Sequence, residues 1–321
     1  MKEKLEAAMR LGKISAPSVF TVSDTFPLTI SITSISPQSG CTPACNALGK
    51  RIATGCAKNK TDAVFLSMVE GVERYCIQYS DSRENLLNPF LSTNSEINNI
   101  PQSQICIGSP AYPNNDSIGS AAGSSREFAA ENALLECLEH YHIKNSASDF
   151  FELDLHSLPP LEFLVEWLES QFRKLKIHIY ESDLGYYTAR CVCADFDGGR
   201  STVGTAAALE VNVAIFKAAA ESVVFWRNMI SLENGCVDIG SLNDDEKKAI
   251  EEYRGVCKRK PFLADGCLER NMVKERSRNE RYSLSSLIEH FATLASSDIG
   301  LFDMTDPLLS IPVVKVHKRS L

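Results

Sequence analysis

The chain has 321 residues, 44% of them hydrophobic and 23% charged, with a formal net charge of −8 and a pI near 5.4. That is ample apolar material for one large core or two, and the acidic balance argues against a broad nucleic-acid or anionic-membrane surface. No apolar run approaches a membrane span, and residues 1–13 read as the start of a mixed-charge amphipathic helix, without the apolar core of a secretory signal.

Residues 18–36 alternate β-branched and polar side chains, as half-buried strands do. Residues 37–51 break that pattern as a loop, and "IATGCAKNK" leads into an apolar helix. A polar Asn/Ser/Pro stretch over residues 80–103 reads as an irregular excursion, and "QICIG" as a short strand before a second apolar helix. Residues 149–158 read as a loop closed by Pro159 and Pro160. "LEFLVEWLESQFRKLK" follows as an amphipathic helix, then two strands, "IHIYESD" and "YYTARCVCADF", and a third apolar helix. Trp167 and Trp226 are expected to pack in the core. Residues 243–283 are dense in mixed charge and read as a solvated helix and loop, or as a partner-binding loop.

Eleven cysteines are present. The close pairs, Cys41 with Cys45 and Cys191 with Cys193, do not continue into zinc-finger spacing. Cys76 and Cys137 stand in apolar helical surroundings, where thiols behave as small hydrophobes. The odd count and the missing signal point to reduced thiols, a cytoplasmic location and no metal–thiolate site. Strand–helix alternation predicts an α/β fold as one domain, 1–321, with internal pseudo-repeats. Neither GxxxxGK[ST] nor GxGxxG opens a helix, so a nucleotide site here is of another kind.

The three apolar helices carry one pattern. With Glu70, Glu136 and Glu221 in register, each has an alanine seven positions earlier (Ala63, Ala129, Ala214), preceded by glycine and small residues. In the first two copies a second glutamate follows three places on (Glu73, Glu139) and then a base (Arg74, His140). The third copy has Val224 and Phe225. Glutamates at i and i+3 share a helical face, and neighbours such as Val64, Met68, Leu134 and Leu138 are too apolar for a solvated helix. One such pair is common on a helix surface; three registered copies with small-residue approaches point to a site. Two helices each presenting two carboxylates need cations, and oxygen-only ligands suit magnesium. Lys217, one turn before Glu221, is a candidate phosphate partner.

These residues resemble the YcaO family, whose pattern runs through two E-x-x-E helices, a third A-x-x-x-A-x-x-E helix and a closing "D-x-T…P-V-V-K-V", matched here over residues 287–316. The resemblance spans most of the chain in the expected order. It implies a YcaO-like α/β domain binding ATP and magnesium, with Glu70, Glu73, Glu136 and Glu139 as magnesium ligands and Ser67, Arg74, Asn132, Lys217 and Glu221 as ATP contacts. Ser67 stands one position off the family's serine, whose place holds Leu66. The implied reaction is phosphorylation of a backbone amide oxygen in a ribosomally made precursor peptide, giving an azoline (thiazole or oxazole precursor), a thioamide or an amidine. A leader-binding or TfuA-like partner and a homodimer are implied, with no nucleic acid and no membrane.

The chain departs from that pattern at His140, Lys217 and Val224, and it ends "HKRSL" where the family continues beyond a Pro-Gly-Leu-like turn. These departures support an alternative, a catalytically weak scaffold or activator subunit of a peptide-modifying complex. A third reading is an α/β enzyme of unrelated chemistry whose repeats serve packing alone.

Overall fold

The computed structural model describes residues 1–20, 25–41, 51–80, 85–145, 149–153, 161–233, 247, 248, 250, 251, 253 and 283–320. Its contacts gather into two compact units, Met1–Val22 with Leu28–His140 and Tyr282–Leu321, and Ser23–Pro27 with Tyr141–Arg281. Helices and strands are mixed throughout, as the α/β expectation requires, and the described strand pairs of the named sheets are antiparallel.

In the first unit, α1 (Lys2–Arg10) precedes the three-stranded sheet of β1 (Ser18–Phe20), β2 (Thr29–Ser34) and β3 (Ile52–Ala57). Strand β3 buries alternate residues, and the chain then enters α2 (Lys60–Cys76), capped by Asn59 accepting the Asp62 N–H at 2.9 Å. Helix α2 turns Ala63, Ser67, Met68, Gly71, Val72 and Tyr75 inward, a stripe of helical period. Gly55 makes the close approach feasible: a Cβ there would run into the Ala63 carbonyl and stand 2.5 Å from the Ser67 nitrogen. Residues 86–101 supply only short strands, β4 (Leu86–Leu87), β5 (Leu91–Ser92) and β6 (Ile100–Pro101).

"QICIG" does not form a strand. Its first residues end a short helix, α3 (Gln102–Ile105), and the strand ahead of the second glutamate helix is β7 (Ser120–Ala122). Helix α4 (Arg126–Asn145) follows. Near the chain end, α7 (Leu284–Ala295), capped by Ser283, leads into β12 (Ser297–Asp303) and β13 (Val313–Ser320), which complete the sheet β5-β12-β13-β7. The unit's core joins Leu5, Ile14, Val72, Ile105, Phe302 and Val313.

The second unit is a meander, β11-β10-β9-β8. Strand β8 (Phe151–Leu153) forms within the stretch read from sequence as loop. Helix α5 (Glu162–Ser170) stops short of the predicted end, and Phe172, at φ +58 and exposed, turns the chain into β9 (Arg173–Glu181). The charged "RKLK" is strand because Arg173 points inward, pairing with Asp195 at 2.5 Å and donating to the Cys193 carbonyl at 3.1 Å. Strands β10 (Tyr187–Asp195) and β11 (Thr202–Ala208) follow, then α6 (Val211–Glu233). Arg173 lies over the Trp226 ring, which in turn meets Trp167. Cys76, Cys106, Cys137, Cys191 and Cys193 are buried. The charged stretch 243–283 lies almost wholly outside the described residues. No described helix is long and apolar enough to cross a membrane.

Candidate functional site

The pattern read from the three helices is one structural device. Counting from Lys60, Arg126 and Val211, the residues Glu70, Glu136 and Glu221 are each the eleventh of their helix. Each carboxylate accepts one backbone N–H from the strand segment leading to that helix: Thr54 to Glu70 at 2.9 Å, Gly119 to Glu136 at 3.1 Å, and Thr205 to Glu221 at 2.6 Å. The strands concerned, β3, β7 and β11, each close one edge of a sheet. An edge N–H with no ladder partner needs an acceptor, and the glutamate supplies it through one oxygen.

The carboxylates of α2 and α4 influence one another within the first unit. Glu73 is pushed up to about 8, first by burial and then by the charge of Glu70. Glu136 is pushed well above the carboxylate range by burial, then by Glu73 and Glu139. Glu70 is raised by burial, partly offset by Arg74, whose guanidinium meets it at 2.6 Å. Ser120 Oγ lies 2.9 Å from Glu73 Oε1 and donates to the Ser117 carbonyl at 2.5 Å. A hydroxyl has one proton, so a neutral Glu73 can donate in return.

A buried cation, Lys315 on β13, lowers both Glu73 and Glu136 while donating to the Asp116 and Ile118 carbonyls at 2.9 and 2.5 Å. Sequence reading assigned it no role. The available signal was a lysine inside the otherwise apolar run Val313–Val316.

Among the described residues no group of three or more His, Cys, Asp or Glu forms a metal cage by itself. The carboxylates stand instead as mutually repelling neighbours. That suits a hard cation that keeps several waters and takes only one or two carboxylates together with substrate phosphates, which is magnesium's habit. The residues therefore fit magnesium held jointly with a phosphate ligand.

The other sequence candidates fall as follows. Glu139 is buried and His140 exposed. Asn132 donates to the Phe128 carbonyl one turn back. Ser67 is fully buried and bonded to the Ser31 and Thr33 hydroxyls and the Val64 carbonyl, which places it in the α2–β2 packing rather than with the carboxylates. Lys217 and Glu221 belong to the second unit.

Two E-x-x-E helices thus bring half-buried and buried carboxylates within electrostatic reach of one another, and comparison with known proteins gives the family. The model described as "YcaO cyclodehydratase, ATP- and Mg2+-binding" matches residues 100–317, which is 218 of the 321 residues. The chain belongs to the YcaO family. No curated protein matches the sequence. Among solved structures, a heterocyclase in complex with substrate and cofactor aligns at TM-score 0.65 and 17% identity, covering 98% of this chain and 52% of its own. The chain thus spans about half the length of that protein. YcaO from Methanopyrus kandleri, bound with AMPPCP and Mg2+, aligns at TM-score 0.65 and 17% identity, covering 98% and 89%. A chain of the E. coli microcin synthetase McbBCD complex aligns at 0.64 and 11%, covering 94% and 87%. These likenesses establish the fold.

Proposed function

We propose that the protein is an ATP- and magnesium-dependent enzyme that activates a backbone amide of a ribosomally made peptide by phosphorylation. The observation that carries this reading is the carboxylate group of α2 and α4, raised in pKa first by desolvation and then by neighbouring carboxylates, and set in a family described as ATP- and Mg2+-binding. When bound, magnesium neutralises phosphate charge and orients the transferring group. Glu73 and Glu139 are the proposed principal ligands. Glu136 has Oε2 on the Gly119 N–H and offers Oε1, whereas Glu70 has Oε2 on the Thr54 N–H and Oε1 on the Arg74 guanidinium, and would reach metal as Arg74 turns to nucleotide.

Arg74, bridging from Glu70 towards the Ile52 carbonyl, is the proposed nucleotide contact on α2. Asn132, Lys217 and Glu221 are proposed to contact nucleotide as well. Ser67 is left out because its hydroxyl is already held. The amide chemistry follows from leaving-group ability. A nucleophile adds to the carbonyl carbon, the oxygen takes the γ-phosphoryl group, and phosphate then departs in place of a poor oxide leaving group. A Cys, Ser or Thr side chain gives an azoline; external sulfide or an amide nitrogen gives a thioamide or an amidine. Its proposed partners are the precursor peptide and a protein that delivers it.

The test is the melting temperature of the full chain with MgCl2 and ATP, beside Glu136→Gln. Ligand that binds only the native state raises stability. A rise in the wild type that is lost in the variant supports the reading; no rise in the wild type overturns it.

A further inference from the structure

We propose that Lys315 is the positioning residue of the carboxylate site, acting through a single peptide plane. The proposal rests on the functional reading above. Lys315 Nζ donates to the Ile118 carbonyl at 2.5 Å, and the N–H of the same peptide unit, that of Gly119, donates to Glu136 Oε2 at 3.1 Å. A trans peptide is rigid and points its C=O and N–H in opposite directions. Gripping one end therefore aims the other.

Three further contacts hold this segment. Lys315 also takes the Asp116 carbonyl at 2.9 Å, the Val316 N–H takes the Gly119 carbonyl at 2.7 Å, and Lys315 pairs in register with Ser120, whose hydroxyl stands at Glu73. The turn needs Gly119 itself, at φ +76, since a Cβ there would meet the Cys137 sulfur. A cation on the carbonyl polarises the peptide and strengthens its N–H as a donor. Lys315 is 6% exposed and makes these two hydrogen bonds to backbone. It sets where Glu136 stands without being a ligand or touching the reacting atoms.

The experiment compares the full-length wild type with Lys315→Met and Lys315→Arg. Two quantities are read: hydrogen exchange of the Gly119 amide in chelator, and the affinity for Mn2+ as a magnesium probe without nucleotide. The methionine variant is expected to exchange at Gly119 about tenfold faster and to bind Mn2+ about 10–100-fold more weakly, the range for losing a group that orients a ligand. The arginine variant keeps a cation and donors for both carbonyls and is expected to stay close to wild type in both readings. Unchanged Gly119 exchange in Lys315→Met overturns the proposal. Equal losses in both variants also overturn it, because they indicate packing rather than the cation and its donors. If the methionine variant does not fold, the arginine variant decides by the same two readings. A wild type that binds no Mn2+ refutes the functional reading, while the exchange comparison still decides whether Lys315 aims the Gly119 peptide.

Discussion

Replacing Glu73 by glutamine isolates the cost of gathering these carboxylates. The group ordinarily titrates near 4.5 and is pushed up to about 8, by burial first and the Glu70 charge second. The folded state therefore holds the proton more tightly than the unfolded chain. Its contribution is fully present below pH 4.5 and is lost as pH rises towards 8, because the native state then binds more protons than the unfolded one. At about 1.4 kcal/mol per pH unit the interval sums to a ceiling of about 5 kcal/mol. Water reaching this half-buried side chain brings that down to about 2–3 kcal/mol. Glutamine is neutral at every pH and can still hydrogen-bond Ser120. In chelator, Glu73→Gln is expected to melt several degrees above the wild type at pH 9 and to approach it at pH 5. Added Mg2+ and ATP should stabilise only the wild type. The assay is a melting curve at each pH, with and without metal. A variant that melts below the wild type at pH 9 in chelator would refute the repulsion argument.

Other substitutions separate structural from binding roles. Gly204→Ala drives a Cβ into the Ala218 carbonyl and the Ser222 nitrogen, both backbone atoms, and is expected to cost about 1–3 kcal/mol or more by chemical denaturation. Arg74→Met removes the 2.6 Å partner of Glu70, so nucleotide affinity measured by calorimetry should fall about tenfold or more, with Mg2+ affinity changing less. Arg173→Met strips a buried guanidinium from Asp195, the Cys193 and Arg200 carbonyls and the Trp226 face; a loss of about 3–5 kcal/mol in urea is expected, as for breaking a buried pair. Glu221→Leu leaves the Thr205 N–H without its acceptor and should lower stability by about 1–3 kcal/mol, whereas Glu139→Gln should weaken Mg2+ binding with little change in stability.

What could be read from the sequence was what repeats with a period. Each glutamate is the eleventh residue of its helix, so the register of three alanines and three glutamates in the sequence marks positions that the fold also makes equivalent. The strands at residues 18–36 alternate by two and were equally plain. Three things were not legible. Arg173 looks like a helix end because the partners that bury it, Asp195 and the Cys193 carbonyl, are about twenty residues away. Ser67 is an ATP contact by family resemblance although it stands one position off that pattern, and the Ser31 and Thr33 hydroxyls opposite show which way it faces. Lys315 is far in sequence from everything it holds, the Ile118 carbonyl being 197 residues away.

The third helix separates two features of the motif. Glu221 repeats the edge-strand contact of Glu70 and Glu136, yet three places on it has Val224, buried, where the other copies have Glu73 and Glu139. Accepting an edge N–H is therefore common to all three copies and is a structural duty of the first glutamate. The second glutamate has no such duty in common: Glu73 meets a serine hydroxyl and its neighbours' charge, at the expense of a pKa near 8. Once ionised, a carboxylate held in that condition is stabilised by a cation. The E-x-x-E pair thus divides: the first residue anchors helix to strand in all three copies, and the second, present in α2 and α4 alone of the three, is the one proposed to hold metal.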